Sequence, residues 1–313
     1  MKILALFLSL IAFTLPSAAR AEAVILAGHP LTAGLAGALL DGTAVSLRVV
    51  VPAALPMGRQ AAFLAGRGEK ALAEAALGAE AVVSLRSLWP EDPLFPMARR
   101  TNIRLVEIDA GRPVDGALPG VAAVRAPSAG ALGAALGIPA PALAPAAPAP
   151  WLSANALGRM ADILAADLRR LHPEAAPRIS ANLDGLKRAL LAQSARAAQA
   201  FAGLADPGVV SLSDRFAALT PDLGLDARAS VALDDREWTP ERTRILGDFL
   251  VGEAVRVVLA HRPPPAEVGA AISGAGAKLV ILDSLESGPP VDVPVAFASI
   301  IDALLAAFPA DGL

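Results

Sequence analysis

The sequence predicts a two-lobed α/β protein, in which each lobe is a mainly parallel sheet flanked by helices and a long rigid helix joins the lobes. Short apolar runs alternate with helical stretches in both halves of the chain. This alternation is typical of parallel sheets covered on both faces. Between the halves, residues 173–203 carry an apolar stripe at helical spacing. A helix of about 25 residues is roughly 37 Å long, so it can run from one lobe into the next.

The first 21 residues have the features of a secretory signal peptide. Lys2 gives a positive start, Ile3–Leu15 forms an apolar core, and Ala19, Arg20 and Ala21 form a small-residue cleavage site. The apolar run is too short to favour a membrane span. The chain has no cysteine, which excludes a lipid-modified cysteine, disulfides and thiolate metal sites. We therefore expect a periplasmic protein without a lipid anchor.

Composition and motifs exclude several classes of function. The formal net charge is -3 and the basic residues are scattered, so nothing indicates nucleic-acid binding. No nucleophile–base pair, phosphate loop or paired-carboxylate motif stands out, so we do not expect an enzyme. The length fits two lobes, and we expect a monomer.

The N-terminal lobe is predicted over residues 22–172. Four apolar runs predict strands, at Ala23–Ala27, Val45–Val51, Ala81–Leu85 and Arg104–Ile108. Two stretches between them predict helices, at Thr32–Leu40 and Lys70–Ala76. Residues 137–150 form an extended, semi-rigid Pro/Ala linker. It leads into a helix pair that starts near Trp151 and is interrupted at Pro173, where a new helix begins.

The linking helix, residues 173–203, is followed by a C-terminal lobe over residues 204–313. Its predicted strands are Val209–Leu212, Val255–Ala260 and Lys278–Leu282. Its predicted helices are Arg215–Leu223, Ala266–Ser273, Phe297–Phe308 and a helix that ends near Gly252. Thr239 is the expected N-cap of the helix that ends near Gly252, because Pro240 then occupies its first position.

The best-matched motif begins at Trp151. The segment Trp-Leu-Ser-x-Asn-Ala, residues 151–156, is followed by a helix and by His172 and Pro173. This order resembles the middle of the periplasmic zinc- and manganese-binding solute-binding proteins of ABC importers. That family has a pattern close to His-x-Trp-Leu-Asp-Pro-x-Asn-Ala, then a helix, an Asp-Pro segment and a rigid helix that links the lobes.

Other segments resemble the same family but lack its metal histidines. Leu-Asp-Ser-Leu at residues 282–285 matches the family's Leu-Asp-Pro-Leu, whose aspartate often binds metal; here it is Asp283. Ser213 stands where the family has the histidine of His-Asp-Ala-Phe. Neither residues 55–60 nor residues 148–150, which stand where the other two histidines are expected, contain one.

The resemblance implies a divergent solute-binding component of a metal-type ABC importer, which binds zinc or manganese between its lobes and delivers it to a permease in the inner membrane. Because all three histidines are replaced, two alternatives stay open. The site could be rebuilt for a metal chelate or a small anion. The protein could instead have lost metal binding and serve as an accessory, partner-binding factor.

The candidate ligands follow predicted strands, because ligands of open α/β lobes bind at the carboxyl ends of strands. Zinc prefers three or four nitrogen and oxygen donors, with imidazole favoured. His29, His261 and Asp283 could supply three of them. Weaker ligand-binding candidates share the same predicted cleft: Ser213, Asp214, Arg59, Arg86 and Trp89. Arginines near the cleft would favour an anion or an anionic chelate, and Trp89 and Trp151 are expected to pack between the lobes.

Overall fold

A computed structural model describes residues 23–139 and 148–308. It contains two four-stranded parallel sheets with flanking helices and a long helix between the lobes, so the predicted fold class is confirmed. The signal peptide predicted over residues 1–21 lies outside the described residues, as do residues 140–147 of the predicted Pro/Ala linker.

The N-terminal sheet has the strand order β2-β1-β3-β4, and all its pairs are parallel. Its strands are β1 (Ala23–Ala27), β2 (Val45–Val49), β3 (Ala81–Ser84) and β4 (Val106–Asp109). The helices of this part of the chain are α1 (Pro30–Leu40), α2 (Met57–Leu64), α3 (Glu69–Leu77), α4 (Leu94–Ala98) and α5 (Gly130–Ala135). Every residue of β3 is buried, because helices cover both faces of the sheet.

A helix pair follows, α6 (Ala154–Leu171) and α7 (Ala176–Phe201). Ser153 begins α6, and its hydroxyl accepts a hydrogen bond from the Ala156 N–H. A single 3₁₀ turn at Pro173–Ala175 separates the helices. α7 packs against α6, α1 and the last helix of the chain, so it is the linking helix that the sequence predicts.

The C-terminal sheet repeats the arrangement of the first, with the order β6-β5-β7-β8 and only parallel pairs. Its strands are β5 (Gly208–Ser211), β6 (Asp226–Ser230), β7 (Val257–Ala260) and β8 (Lys278–Ile281). Its helices are α8 (Leu219–Asp222), α9 (Pro240–Gly252), α10 (Ala266–Gly274) and α11 (Val293–Leu305). Thr239 caps α9 as predicted, and its hydroxyl accepts from the Arg242 N–H.

The chain passes between the lobes before it reaches α7. Helix α5 packs against β6 and α9 of the second lobe. Leu132 and Leu136 are buried there in one cluster with Val210 and Ala229. The chain then returns, and α6 packs against β4 and α1 of the first lobe. The lobes are therefore joined by more than the linking helix, and the domain boundaries predicted from sequence stay a prediction.

Several element predictions were wrong in detail. The sequence analysis missed β6, whose residues 226–230 form an edge strand without an apolar run. The predicted helix over residues 215–223 is a 3₁₀ turn at Asp214–Ala217 followed by the short α8. The last helix begins at Val293, not at Phe297, because the Asp292 side chain accepts from the Val295 N–H and caps it there.

None of the helices within residues 23–139 and 148–308 has both the length and the apolar character that a membrane span needs.

Candidate functional site

The strand order places one ligand-binding position in each lobe. In the first sheet, β1 lies between β2 and β3, and in the second, β5 lies between β6 and β7. Connections leave in opposite directions from these central strands, which opens a crevice at their carboxyl ends. His29 follows β1, Ser213 follows β5 and His261 follows β7. The position where the strand order reverses is called the switch point of a sheet. His29, Ser213 and His261 therefore stand at the switch points of the two sheets.

His29 is held in one orientation by the start of α1. It is the N-cap of the helix, and its Nδ1 accepts a 3.2 Å hydrogen bond from the Leu31 N–H. Because Nδ1 accepts, the ring proton lies on Nε2. The side chain is 2% exposed, and burial lowers its pKa from 6.5 to about 3. The imidazole is therefore neutral at physiological pH.

Trp151 contacts His29 at the interface between the lobes. The two rings meet edge to face with centroids 5.3 Å apart. The Trp151 indole N–H donates a 3.0 Å hydrogen bond to the carbonyl oxygen of Ser284, in the second lobe. Trp151 is 1% exposed, so its predicted position between the lobes is confirmed. Trp151 therefore contacts both His29 and the Ser284 carbonyl.

Met57 completes the surroundings of His29, and the sequence analysis did not identify it. Its Sδ lies 3.2 Å from His29 Nε2. Met57 is the first residue of α2, in the segment where the resemblance places a metal histidine. Residues 55–60 contain no histidine or carboxylate, but the thioether of Met57 is a soft donor in the same segment. Trp89 also reaches His29, with ring centroids 6.3 Å apart.

The second lobe places a polar cluster beside the interface. Arg215 forms an ion pair with Glu286, whose carboxylate also accepts a 2.6 Å hydrogen bond from the Ser284 hydroxyl. Asp214 lies 3.6 Å from Arg215. Burial lowers the pKa of His261, and the positive charge of Arg215 lowers it further. His261 therefore lies in the field of an arginine–glutamate pair.

Ser213 and Asp283 have mainly structural contacts. Ser213 is buried, and its hydroxyl accepts from the Arg215 N–H at 3.3 Å. Asp283 is exposed, and its Oδ1 accepts from the Leu285 N–H at 2.8 Å. Leu285 has a left-handed backbone with φ of 60°, which is strained for a residue with a side chain. The Asp283 side chain therefore supports the turn that carries Ser284.

Arg86 lines a cavity of about 770 Å³ at the carboxyl ends of β3 and β4. It pairs with Glu107 at 3.0 Å. Arg112 and Asp109 line the same cavity. Both oxygens of Asp109 are engaged, because Ser87 and the Gly111 N–H donate to them. Arg59 is exposed on α2 and is not among the residues that line this cavity.

The structure brings His29 to Trp89, but it does not assemble a cluster of histidines and carboxylates. Within the described residues, no group of three or more histidine, aspartate or glutamate side chains could hold a metal ion. The ligand roles of His29, His261 and Asp283 stay a prediction. His172, the third histidine, lies near Glu80 and Glu174, and Glu80 directly precedes β3, at the opposite end of the sheet from His29.

Comparison with known proteins identifies the family. The family model described as ZnuA, zinc-uptake complex component A, periplasmic, matches residues 17–308. The chain belongs to this family. No curated protein matches the sequence.

Solved structures similar to this ZnuA-family chain share its fold. A mutant of FpvC from Pseudomonas aeruginosa has a TM-score of 0.70 and 20% identity, over 91% of this chain and 98% of that one. A crystal structure of ZnuA has a TM-score of 0.66 and 19% identity, over 91% and 99%. FpvC from P. aeruginosa in complex with Ni²⁺ has a TM-score of 0.67 and 18% identity, over 94% and 99%.

Membership of the ZnuA family settles the class of function. The protein is a periplasmic solute-binding component of a metal-type ABC importer. The family is one of solute-binding proteins and not of enzymes, and its role implies a permease as partner.

Proposed function

We propose that this protein binds a transition-metal ion between its lobes through His29 and delivers it, as a monomer without a lipid anchor, to the permease of its importer. Zinc and manganese are the ions that the sequence predicts. The observation that carries the proposal is the state of His29. A buried, neutral imidazole at the switch point of the first sheet is a ready metal ligand.

The predicted partners of His29 are His261 and Asp283. Trp151 contacts His29 and donates to the Ser284 carbonyl, next to Asp283 in the chain. A site that joins all three residues would lie across the interface between the lobes, whereas a site confined to the first lobe would not use His261 or Asp283. The effects of substituting His261 and Asp283 on metal binding separate the two arrangements.

Calorimetric titration of the metal-free mature protein tests the proposal. We expect one-to-one binding of a transition-metal ion that is lost in His29→Asn, because asparagine keeps an N-cap acceptor but removes the imidazole. His261→Ala and Asp283→Ala test the predicted set. His172→Gln is the matched control, because His172 lies at the opposite end of the first sheet. Unchanged binding in His29→Asn would overturn the proposal.

A second candidate ligand is a small anion or an anionic metal chelate, and the cavity beside Arg86 favours it. The acidic groups there are engaged: Glu107 accepts from Ser84 and Arg86, and Asp109 accepts from backbone and hydroxyl groups. Within the described residues, Arg112 has no ion-pair partner. An arginine in this state favours a carboxylate or phosphate.

Titration with citrate and with inorganic phosphate separates the two candidates. The affinity for an anion bound in this cavity should fall in Arg112→Gln and should be unchanged in His29→Asn. Protein that binds neither metal nor anion would point to an accessory, partner-binding role.

A further inference from the structure

His29 and Met57 place a nitrogen and a sulfur donor side by side. The distance from His29 Nε2 to Met57 Sδ is 3.2 Å. Nitrogen and sulfur donors that share one metal ion at about 2.0 and 2.3 Å lie roughly 3 to 4 Å apart. At these bond lengths, a separation of 3.2 Å gives a bent nitrogen–metal–sulfur angle of roughly 95°. Binding of a two-coordinate ion, which prefers a wider angle, therefore moves the sulfur outwards. The thioether has three rotatable bonds, so it can adjust without movement of the backbone.

Both donors are electrically neutral, and His29 is 2% exposed between two indole rings. A divalent ion bound here would keep its full charge in an apolar environment, which is unfavourable. Manganese in particular prefers carboxylate, carbonyl and water ligands. A monovalent ion has half that charge and accepts few ligands, so it suits this position better.

Two indole rings contact His29. Trp151 forms the buried wall at 5.3 Å from the His29 ring, and Trp89 lies at 6.3 Å on the more open side. Met57 and Trp89 are both partly exposed, whereas His29 is not. An ion can therefore reach the pair from the side of Met57 and Trp89.

We propose that His29 and Met57 form a site for copper(I), with Trp89 on its more open side. Thioether ligands select copper(I) over harder ions, and imidazole also suits copper. The inference rests on the proposed function, because it names the class of ion that the site near His29 takes. It differs from the predicted set of His29, His261 and Asp283, because both ligands come from the first lobe.

Binding through Nε2 changes the tautomer of His29. The proton on Nε2 moves to Nδ1, and the nitrogen lone pair becomes available to the ion. The 3.2 Å hydrogen bond from the Leu31 N–H to Nδ1 is then given up. No electron is transferred, and the ion arrives and leaves as copper(I).

Anaerobic competition against a chromogenic copper(I) chelator tests the inference, with silver(I) as a redox-stable substitute. We expect one copper(I) per protein, bound more tightly than Zn²⁺ or Mn²⁺. Met57→Leu should weaken copper(I) binding by at least about 100-fold, since it removes a ligand. Met57→Cys, which keeps a soft sulfur, should retain binding. X-ray absorption of the copper(I) form should show one sulfur and one nitrogen neighbour.

Met97→Leu is the matched control, because Met97 is also half-buried in the first lobe and packs in an apolar cluster away from His29. Copper(I) binding that is the same in Met57→Leu and wild type would overturn the inference. If Zn²⁺ or Mn²⁺ binds through His29 and copper(I) does not, the inference fails and the proposed function stands. If no metal ion binds, both fail. Circular dichroism establishes that each variant is folded before it is scored.

Discussion

The indole of Trp151 and the carbonyl of Ser284 form a hydrogen bond between the lobes, and each partner stands beside a strained residue. Ala149, two residues before Trp151, has φ of 52°, and Leu285, directly after Ser284, has φ of 60°. Such left-handed conformations cost about 1 to 3 kcal/mol each, and they persist where the surrounding structure enforces them. The interface near His29 is thus held in place from both lobes.

Loss of this hydrogen bond should destabilise the protein. In Trp151→Phe the Ser284 carbonyl loses its donor while the ring volume is largely kept. We expect a decrease of about 1 to 3 kcal/mol in the free energy of unfolding, measured by urea denaturation. Trp238→Phe is the control, because Trp238 is half-buried and packs within the second lobe alone. Equal losses in the two variants would contradict a special role for Trp151.

The buried imidazole of His29 should make the protein sensitive to acid. Its pKa is about 3 in the folded state and about 6.5 when unfolded, so the unfolded state binds the extra proton between these values. The stabilisation is complete above pH ~6.5 and is lost as the pH falls towards 3, by at most about 1.4 kcal/mol per pH unit.

Urea denaturation of wild type and His29→Asn from about pH 7 to pH 4.5 measures this dependence. The difference between the two proteins removes the shared contribution of the carboxylates. We expect wild type to lose about 2.5 kcal/mol more than the variant over this range. Parallel pH profiles would show that His29 is not protonated on unfolding.

Two helix ends in the second lobe form a matched pair for a backbone test. After α9, Ala254 has φ of 53°, and the Val255 N–H bonds back to the Leu250 carbonyl. After α10, Gly276 has φ of 74° with the equivalent bond from Ala277. The residue in the left-handed position is alanine at the end of α9 and glycine at the end of α10. Glycine adopts that conformation without strain, whereas alanine does not.

Exchange of these residues should therefore have opposite effects. We expect Ala254→Gly to raise the free energy of unfolding by about 0.5 to 1 kcal/mol and Gly276→Ala to lower it by about 1 kcal/mol. A methyl group at Gly276 meets nothing closer than Arg256, at 4.0 Å, so the effect is one of backbone conformation. Thermal denaturation measures both changes, and shifts of the same sign would contradict this account.

The lobes should move little on ligand binding. Besides α7, two backbone hydrogen bonds tie them, from the Gly288 N–H to Ala53 and from the Val291 N–H to Pro30. We expect scattering profiles with and without ligand to superimpose, unlike those of a hinge-type binding protein. A large compaction would overturn this prediction.

Gly34 offers a way to loosen the connection. A methyl group there would lie 1.9 Å from the Val291 carbonyl oxygen, so Gly34→Ala must displace this segment of the second lobe. We expect a ligand-dependent change in scattering to appear in this variant. Gly37→Ala on the same helix is the control, since its methyl group would meet only Leu47 at an ordinary 3.6 Å.

Local patterns predicted much of the fold. The bounds of β1 were predicted correctly because its apolar run is bounded by Glu22 and Gly28, and those of α9 because Thr239 and Pro240 mark its start. The polar strand β6 was not predicted, because an edge strand depends on its partner β5 for hydrogen bonds and buries little apolar surface. Its existence is set by tertiary contacts.

The candidate site was predicted less completely. The position of His29 after β1 follows from the sequence, since its strand is evident. Its contacts with Met57 and Trp151 cannot be predicted from the sequence, because they are not local. Met57 lies 28 residues after His29, and Trp151 lies beyond the Pro/Ala linker. A methionine carries no sequence pattern that distinguishes a ligand from a core residue.

The position of α5 on the second lobe has a consequence for the order of folding. Its buried leucines, Leu132 and Leu136, pack against β6, which lies about 90 residues further along the chain. These apolar side chains therefore stay exposed until the sheet of the second lobe forms. A chain truncated before β6 leaves them without their partners, as a surface prone to aggregation.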